Sequence, residues 1–277
     1  MDYRTESAID LEYQGRYAIL TINKPNKAGS LSRMQYYELG QKLREVATHD
    51  EVYVTVLVGK GRFFSAGIDT STPRSKPSEA NPDQLRKEIL TGLMPFNLNI
   101  TRAFTQHPKI LVVGLNGPAI GLSAALVAHA DFIYCAPHAY LFTPFTSLGL
   151  AAEGGASLAF VQRLGISRAK EALIMSRRIT ARELLQCGFV NGIVDVKEEG
   201  EDELFRRKVL REVEERLGEH LVGESMVMIK ELMGRPSADA MELQNSAEAW
   251  RGLDRHLTGV PQEEFRKLAS GEKRHKL

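Results

Sequence analysis

The segment GLAAEGGASLAF (149–160) places one carboxylate, Glu153, between small apolar residues and a glycine pair. The seventeen residues before it, APHAYLFTPFTSLGLAA, carry no formal charge. A carboxylate taken out of water loses hydration, so its pKa rises and its ionised form becomes a stronger base. The composition around Glu153 is that of a general-base site. The local sequence allows a second reading equally well: Gly154-Gly155 can open a helix, with the acid capping its positive end.

Two glycine-centred turns offer a complementary chemistry. GRFFSAGID (61–69) follows the apolar run VYVTVLVGK (52–60), and NGPAIGLSAAL (116–126) follows KILVVGLNG (109–117). Each turn takes the chain from a buried strand. After the second comes a small-residue helix, whose first N–H groups lack intrahelical partners. Such amides can hold an anion or a developing oxyanion. For either turn alone, glycines that merely permit tight bends explain the sequence as well. Two in equivalent positions point to amides aimed at one place.

Other candidate motifs fail. Gly121-Leu122-Ser123-Ala124-Ala125 starts like a nucleophile elbow but lacks the closing glycine, so Ser123 reads as helix packing. There is no GxxxxGK[ST], and no GxGxxG follows the first strand. His129 and His138 have no CxxC or HExxH near them and read as polar residues at element ends, so no metal is expected.

The elements that must position these groups read as an α/β protein. YAILTIN (17–23) alternates like a strand. Residues 32–50 form a helix with Met34, Tyr37, Leu39, Leu43 and Val46 on its apolar side, and 52–60 form a strand buried on both faces. That order predicts a right-handed βαβ unit. Residues 70–84, rich in Pro, Ser and charge, read as a mobile surface loop before a helix over 85–106. DFIYCAP (131–137) and AYLFTP (139–144) continue the strands, and from about 157 the chain becomes mostly helical, with a long charged helix over 201–217 and one short apolar break, 189–196. The expected organisation is a core over 1–200 and a helical region over 201–277.

Composition sets the outer limits. The 36 basic and 35 acidic residues nearly cancel, giving no reason to expect nucleic acid or an acidic membrane surface as partner. Two cysteines, Cys135 and Cys187, make a disulfide framework unexpected and fit a reduced intracellular compartment. The N-terminus lacks an apolar signal core, and the longest apolar tract (118–136) is broken by Gly121, His129 and Asp131. Neither secretion nor a membrane span is expected. The terminal His275-Lys276-Leu277 is of the type read as a peroxisomal address, with Ser-Lys-Leu as the reference form, although a basic tail that ends in Leu by chance fits too.

Taken together, GRFFSAGID, LNGPAIGLSAALVAHADFIY, LGLAAEGGAS and the terminal HKL resemble the crotonase (enoyl-CoA hydratase/isomerase) superfamily over about residues 10–260. The likeness is greatest to the fungal peroxisomal Δ3,Δ2-enoyl-CoA isomerases. The resemblance implies a spiral of ββα units, with a helical C-terminal region used in assembly into trimers or hexamers. It implies acyl-CoA thioester substrates, no cofactor, and an oxyanion hole made by the backbone N–H groups of Ile68 and Leu122. Ser65, Ala66, Gly67, Asp69, Gly121 and Phe145 would contact substrate. The import receptor of the peroxisomal matrix would be a further partner, through His275-Lys276-Leu277.

The resemblance also sorts the acids. The two glutamates of the hydratases fall on Ala125 and Phe145 here, so both are missing. The dienoyl-CoA isomerases carry acids at the positions of Phe145 and Glu153, of which one is present. The mono-enoyl isomerases carry a single catalytic glutamate at the position of Glu153. The implied activity is therefore a 3-enoyl-CoA to trans-2-enoyl-CoA shift in fatty-acid β-oxidation. A dienoyl-CoA isomerase, a secondary-metabolite acyl-CoA isomerase or hydratase, and a non-catalytic acyl-CoA-binding relative are the alternatives. Lys267 and Lys273 are candidate contacts for the CoA phosphates, though a solvated charged face explains either one more simply.

Overall fold

Nine strands form two sheets in the computed structural model, which describes residues 7–69, 81–197 and 200–275. They are β1 (Ile9–Gln14), β2 (Tyr17–Ile22), β3 (Val54–Gly59), β4 (Ile110–Leu115), β5 (Ala119–Ile120), β6 (Phe132–Cys135), β7 (Tyr140–Phe142), β8 (Ile179–Thr180) and β9 (Gly192–Ile193). The larger sheet runs β1-β2-β3-β4-β6-β9, antiparallel at β1–β2 and parallel elsewhere. The smaller runs β5-β7-β8. Every residue of β3 and β4 is buried, as their unbroken apolar sequences require of strands covered on both faces.

The helices are α1 (Arg33–Ala47), α2 (Pro82–Glu88), α3 (Met94–Thr105), α4 (Leu122–Val127), α5 (Ala156–Leu173), α6 (Ala181–Gln186), α7 (Asp202–Leu217), α8 (Gly223–Leu257) and α9 (Val260–Ala269). A capping box starts α1: the Ser32 hydroxyl accepts from the Gln35 N–H while the Gln35 side chain accepts from the Ser32 N–H. The inward stripe of α1 is Tyr36, Leu39, Gly40 and Leu43, whereas Met34 and Tyr37 are exposed. The sequence reading placed that stripe one residue out of register at its N-terminal end. On the other face of the sheet, Phe205, Val209 and Val213 of α7 join the same core as β3 and β4.

Two boundaries differ from expectation. Residues 82–84, expected in the loop, are helical: Pro82 sits at the start of α2 and the Asn81 side chain accepts from the Asp83 N–H. A Pro at the first helical position is already shaped for a helix, and Asn is a good cap. The rest of that loop, 70–80, lies outside the described residues. Next, α2 and α3 are joined by a π-helical turn, Ile89–Leu93, so the expected single helix is one continuous rod with a wide turn inside it. Among the described residues no helix is long and apolar enough to cross a membrane.

Candidate active site

The two glycine turns are stitched to each other. Ser65 and Ala119 form an isolated parallel bridge, and the Ile120 N–H donates to the Ser65 carbonyl at 2.9 Å. Asn116 accepts from the Gly59 N–H and donates to the carbonyls of Gly61 and Phe63. At Gly67 the backbone φ is +84°, and a β-carbon there would lie 2.7 Å from the Ile120 carbonyl oxygen. Only glycine allows that approach.

This contact leaves two amides for a ligand. The Gly67 carbonyl accepts from Leu31 and the Asp69 N–H donates to Leu31, so the amides flanking Ile68 are fixed in the fold. Leu122 is the first residue of α4, following Gly121, whose own N–H donates to Phe142. Neither the Ile68 N–H nor the Leu122 N–H finds an acceptor among the described residues. Behind the turns runs a buried hydroxyl chain. Tyr36 donates to Ser123 (2.7 Å), Ser123 to Ser65 (2.8 Å) and Ser65 to the Gly29 carbonyl, while Ser65 also accepts from the Gly67 N–H. Ser123 is thus more than helix packing, and Ser65, fully buried, supports the turn from behind. Ala66 donates its N–H to Ala28, and the Asp69 carboxylate faces Lys27 at 3.8 Å.

The turn carrying Glu153 is held from two sides. Gly154 and Gly155 both have left-handed φ, and a β-carbon on Gly155 would meet His129 and Met241 at about 3 Å. The His129 ring donates from Nε2 to the Gly154 carbonyl at 2.7 Å. Glu248, reaching across from α8, accepts from the Gly155 N–H (2.7 Å), the Ser157 N–H (2.8 Å) and the Ser157 hydroxyl. The acid that accepts from the first amides of α5 is therefore Glu248. The Glu153 side chain instead accepts from Asn97 Nδ2 of α3 at 2.9 Å. Asn97 is buried, and its Oδ1 has no hydrogen-bond partner among the described residues.

Glu153 itself is half-buried and borders a pocket whose apolar walls include Ile89, Leu93, Met94, Leu150, Ala249 and Leu253. Its charge is felt on the first turn of α1. Burial depresses the Arg33 pKa, and the Glu153 carboxylate opposes that shift. Burial raises the Tyr36 pKa, and Glu153 adds to the rise. Burial also raises the Glu248 pKa, against the pull of its three donors. Ala125 is fully buried with its methyl 2.8 Å from where a Gly154 β-carbon would stand, and Phe145 is 2% exposed in the core. Phe145 does not line the pocket.

The profile of the enoyl-CoA hydratase/isomerase family matches residues 12–253. The chain belongs to that family. Among its members, the Delta(3,5)-Delta(2,4)-dienoyl-CoA isomerase of Pyricularia oryzae is 57% identical over 274 residues, covering 96% of this chain and 98% of that protein. The 3,2-trans-enoyl-CoA isomerase of Saccharomyces cerevisiae is 31% identical over 280 residues, covering 100% and 99%. The crystal structure of an enoyl-CoA hydratase/isomerase from Pseudoalteromonas atlantica T6c superposes with a TM-score of 0.81 over 98% of this chain and all of that one, at 22% identity. The fold expected from the family resemblance is the fold found.

Three residues of this family member's site were not selected from sequence: Asn97, Glu248 and His129. Asn97 lies in NLNIT, where a poor helix former inside an apolar helix was the available signal. The candidate phosphate contacts are engaged within the fold: Lys267 pairs with Glu264 at 2.9 Å, and Lys273 with Glu264 and the Ser147 carbonyl. His275 docks on Ser147 (3.0 Å) and edge-on against Phe142, while Lys276 and Leu277 lie outside the described residues.

Two histidines, buried His107 and half-buried His129, have a consequence for acid stability. Burial holds His129 down to about 4 and His107 down to about 3, from an ordinary 6.5. Both are depressed bases, so the unfolded chain takes up protons below pH 6.5 that the folded chain refuses. Stability therefore falls as pH drops from about 6.5 toward 4, by about 1.4 kcal/mol per pH unit for each histidine. Glu248, with its raised pKa, works in the opposite direction. Urea midpoints measured at pH 7, 6 and 5 should show the slope shrinking by about 1.4 kcal/mol per unit in His129→Asn; an unchanged slope would contradict the assignment.

Proposed function

We propose that the chain is an enoyl-CoA isomerase that moves a double bond from carbon 3 to carbon 2 of an acyl-CoA thioester, with Glu153 carrying the proton. One observation supports this above the others. Glu153 is held by Asn97 at the edge of an apolar pocket, while Ala125 and Phe145, where the family resemblance implies further acids in other members, are buried and uncharged.

The chemistry needs little more. Glu153 takes a proton from carbon 2, and the electron pair moves through the conjugated system onto the thioester oxygen. The Ile68 and Leu122 N–H groups are suited to stabilise that charge. The carboxyl then returns a proton to carbon 4 as the electrons move back, so atoms and charge balance without a redox group or metal. Adding water would need a second group to activate it. The other pocket acid, Glu248, already accepts three hydrogen bonds from the start of α5.

A second reading is 3,5-dienoyl-CoA isomerisation, favoured by the 57% identity to the Pyricularia oryzae enzyme. There the proton must reach carbon 6, farther than one carboxyl spans without help. Rates on 3-enoyl-, 3,5-dienoyl- and 2-enoyl-CoA decide among these. Fastest turnover of the 3-enoyl thioester is expected; a clear preference for the dienoyl thioester would replace the first reading by the second, hydration of the 2-enoyl thioester would replace both by a hydratase, and binding without turnover would leave a non-catalytic relative.

The reading places the enzyme in fatty-acid β-oxidation in the peroxisomal matrix, addressed by His275-Lys276-Leu277. Deleting Lys276-Leu277 and imaging the protein tests the address, and unchanged import would refute it. Exposed Ile229, Leu232 and Met233 on one side of α8 support assembly into trimers or paired trimers. Light scattering that finds only monomers would refute that.

A further inference from the structure

The wall of the pocket formed by α8 is bare at its centre. Glu248 and Ala249, then Gly252 and Leu253, then His256 face the pocket on successive turns. Glycine inside a helix is unfavourable relative to alanine, because it loses more backbone freedom on folding. At Gly252 nothing in the fold demands it. A β-carbon there would meet no atom within 4 Å outside its own helix. The missing side chain leaves open space at a residue that lines the pocket.

Two further features mark this space as a ligand site. Asn97, 8% exposed, lines the same pocket and has an Oδ1 with no hydrogen-bond partner among the described residues, and Glu153 lies on the pocket's border. Neither Ile68 nor Leu122 lines the pocket. A thioester oxygen held by those two amides would therefore sit outside it, and the pocket would receive what extends past the carbons beside Glu153.

We propose that the opening at Gly252 receives the distal acyl chain and that this residue sets the longest chain the enzyme accepts. The proposal rests on the acyl-CoA reading above and names its substrate subclass: thioesters whose chains extend past Glu153 to the middle of α8. Side-chain atoms added at 252 would displace methylenes of long chains only. Each methylene kept from burial weakens binding by about fourfold.

Saturated CoA thioesters from butanoyl to hexadecanoyl, which cannot be isomerised, test this by calorimetric titration into wild type, Gly252→Ala and Gly252→Leu. Short chains should bind all three proteins alike. Long chains should bind Gly252→Leu more weakly by at least about tenfold, with a smaller loss in Gly252→Ala. Melting temperature should hold or rise in Gly252→Ala, since alanine favours the helix, so that variant carries the test should Gly252→Leu not fold. An unaltered length profile, or equal weakening at every length, overturns the proposal alone. A wild type that binds no member of the series overturns the acyl-CoA reading with it.

Discussion

Glu153→Gln should lower kcat for 3-enoyl-CoA isomerisation by about 10²–10⁴-fold, the range for removing a general acid–base group. Affinity for acyl-CoA and the melting temperature should stay close to wild type. The asymmetry follows from what Glu153 does in the fold. Its bond with the Asn97 Nδ2–H donor at 2.9 Å is satisfied equally by a glutamine carbonyl. The turn itself is held elsewhere, by His129 on the Gly154 carbonyl and by Glu248 on the Gly155 and Ser157 amides. The substitution removes the proton carrier and its charge while keeping the side chain's shape and the bond to Asn97. Single-turnover rates beside a binding titration read the two effects apart. Equal loss of binding and rate would mean that Glu153 mainly builds the pocket.

Gly67→Ala should be nearly as damaging, for a different reason. The added β-carbon would stand 2.7 Å from the Ile120 carbonyl oxygen, a backbone atom, at φ +84°. Relief requires the two glycine turns to part, which moves the Ile68 amide away from the Leu122 amide. Loss of one oxyanion donor costs about 10²–10³-fold in kcat. Strain will also lower stability, so a control is needed. Gly188 has φ +76° with no atom within 4 Å of its would-be β-carbon, and it lies outside the pocket. Gly188→Ala should lose stability, about 1 kcal/mol or more, and keep its kcat. If Gly67→Ala also kept its kcat, the Ile68 amide would not be part of the oxyanion hole.

What could be read from sequence was what local chain chemistry determines. The two turns announced themselves because a strand leading into glycine needs no distant partner to be recognised. Glu153 stood out because its neighbours are apolar in sequence as well as in space. The residues missed act across the fold. Asn97 meets Glu153 from 56 positions away, and Glu248 meets the start of α5 from 93 positions away. No local pattern encodes such meetings. They arise when α3 and α8 pack together around the loop that carries the acid. His129 was set aside for want of a metal motif, yet its role is to hold a carbonyl. The error at Tyr37 was one of register: Tyr36 turns inward, where its hydroxyl reaches Ser123 and so becomes part of the support for the two glycine turns.

On the proposed reading, the chemistry falls to one carboxyl group beside a pocket whose other acid accepts three hydrogen bonds at the start of α5. The most direct test is isotopic. A 3-enoyl-CoA deuterated at carbon 2 should be converted in ordinary water and the product analysed by mass spectrometry and NMR for deuterium at carbon 4. A single shuttle by Glu153 predicts that part of the label reappears at carbon 4. Product carrying only solvent hydrogen there, formed at an undiminished rate by Glu153→Gln as well, would contradict the single-carboxyl account.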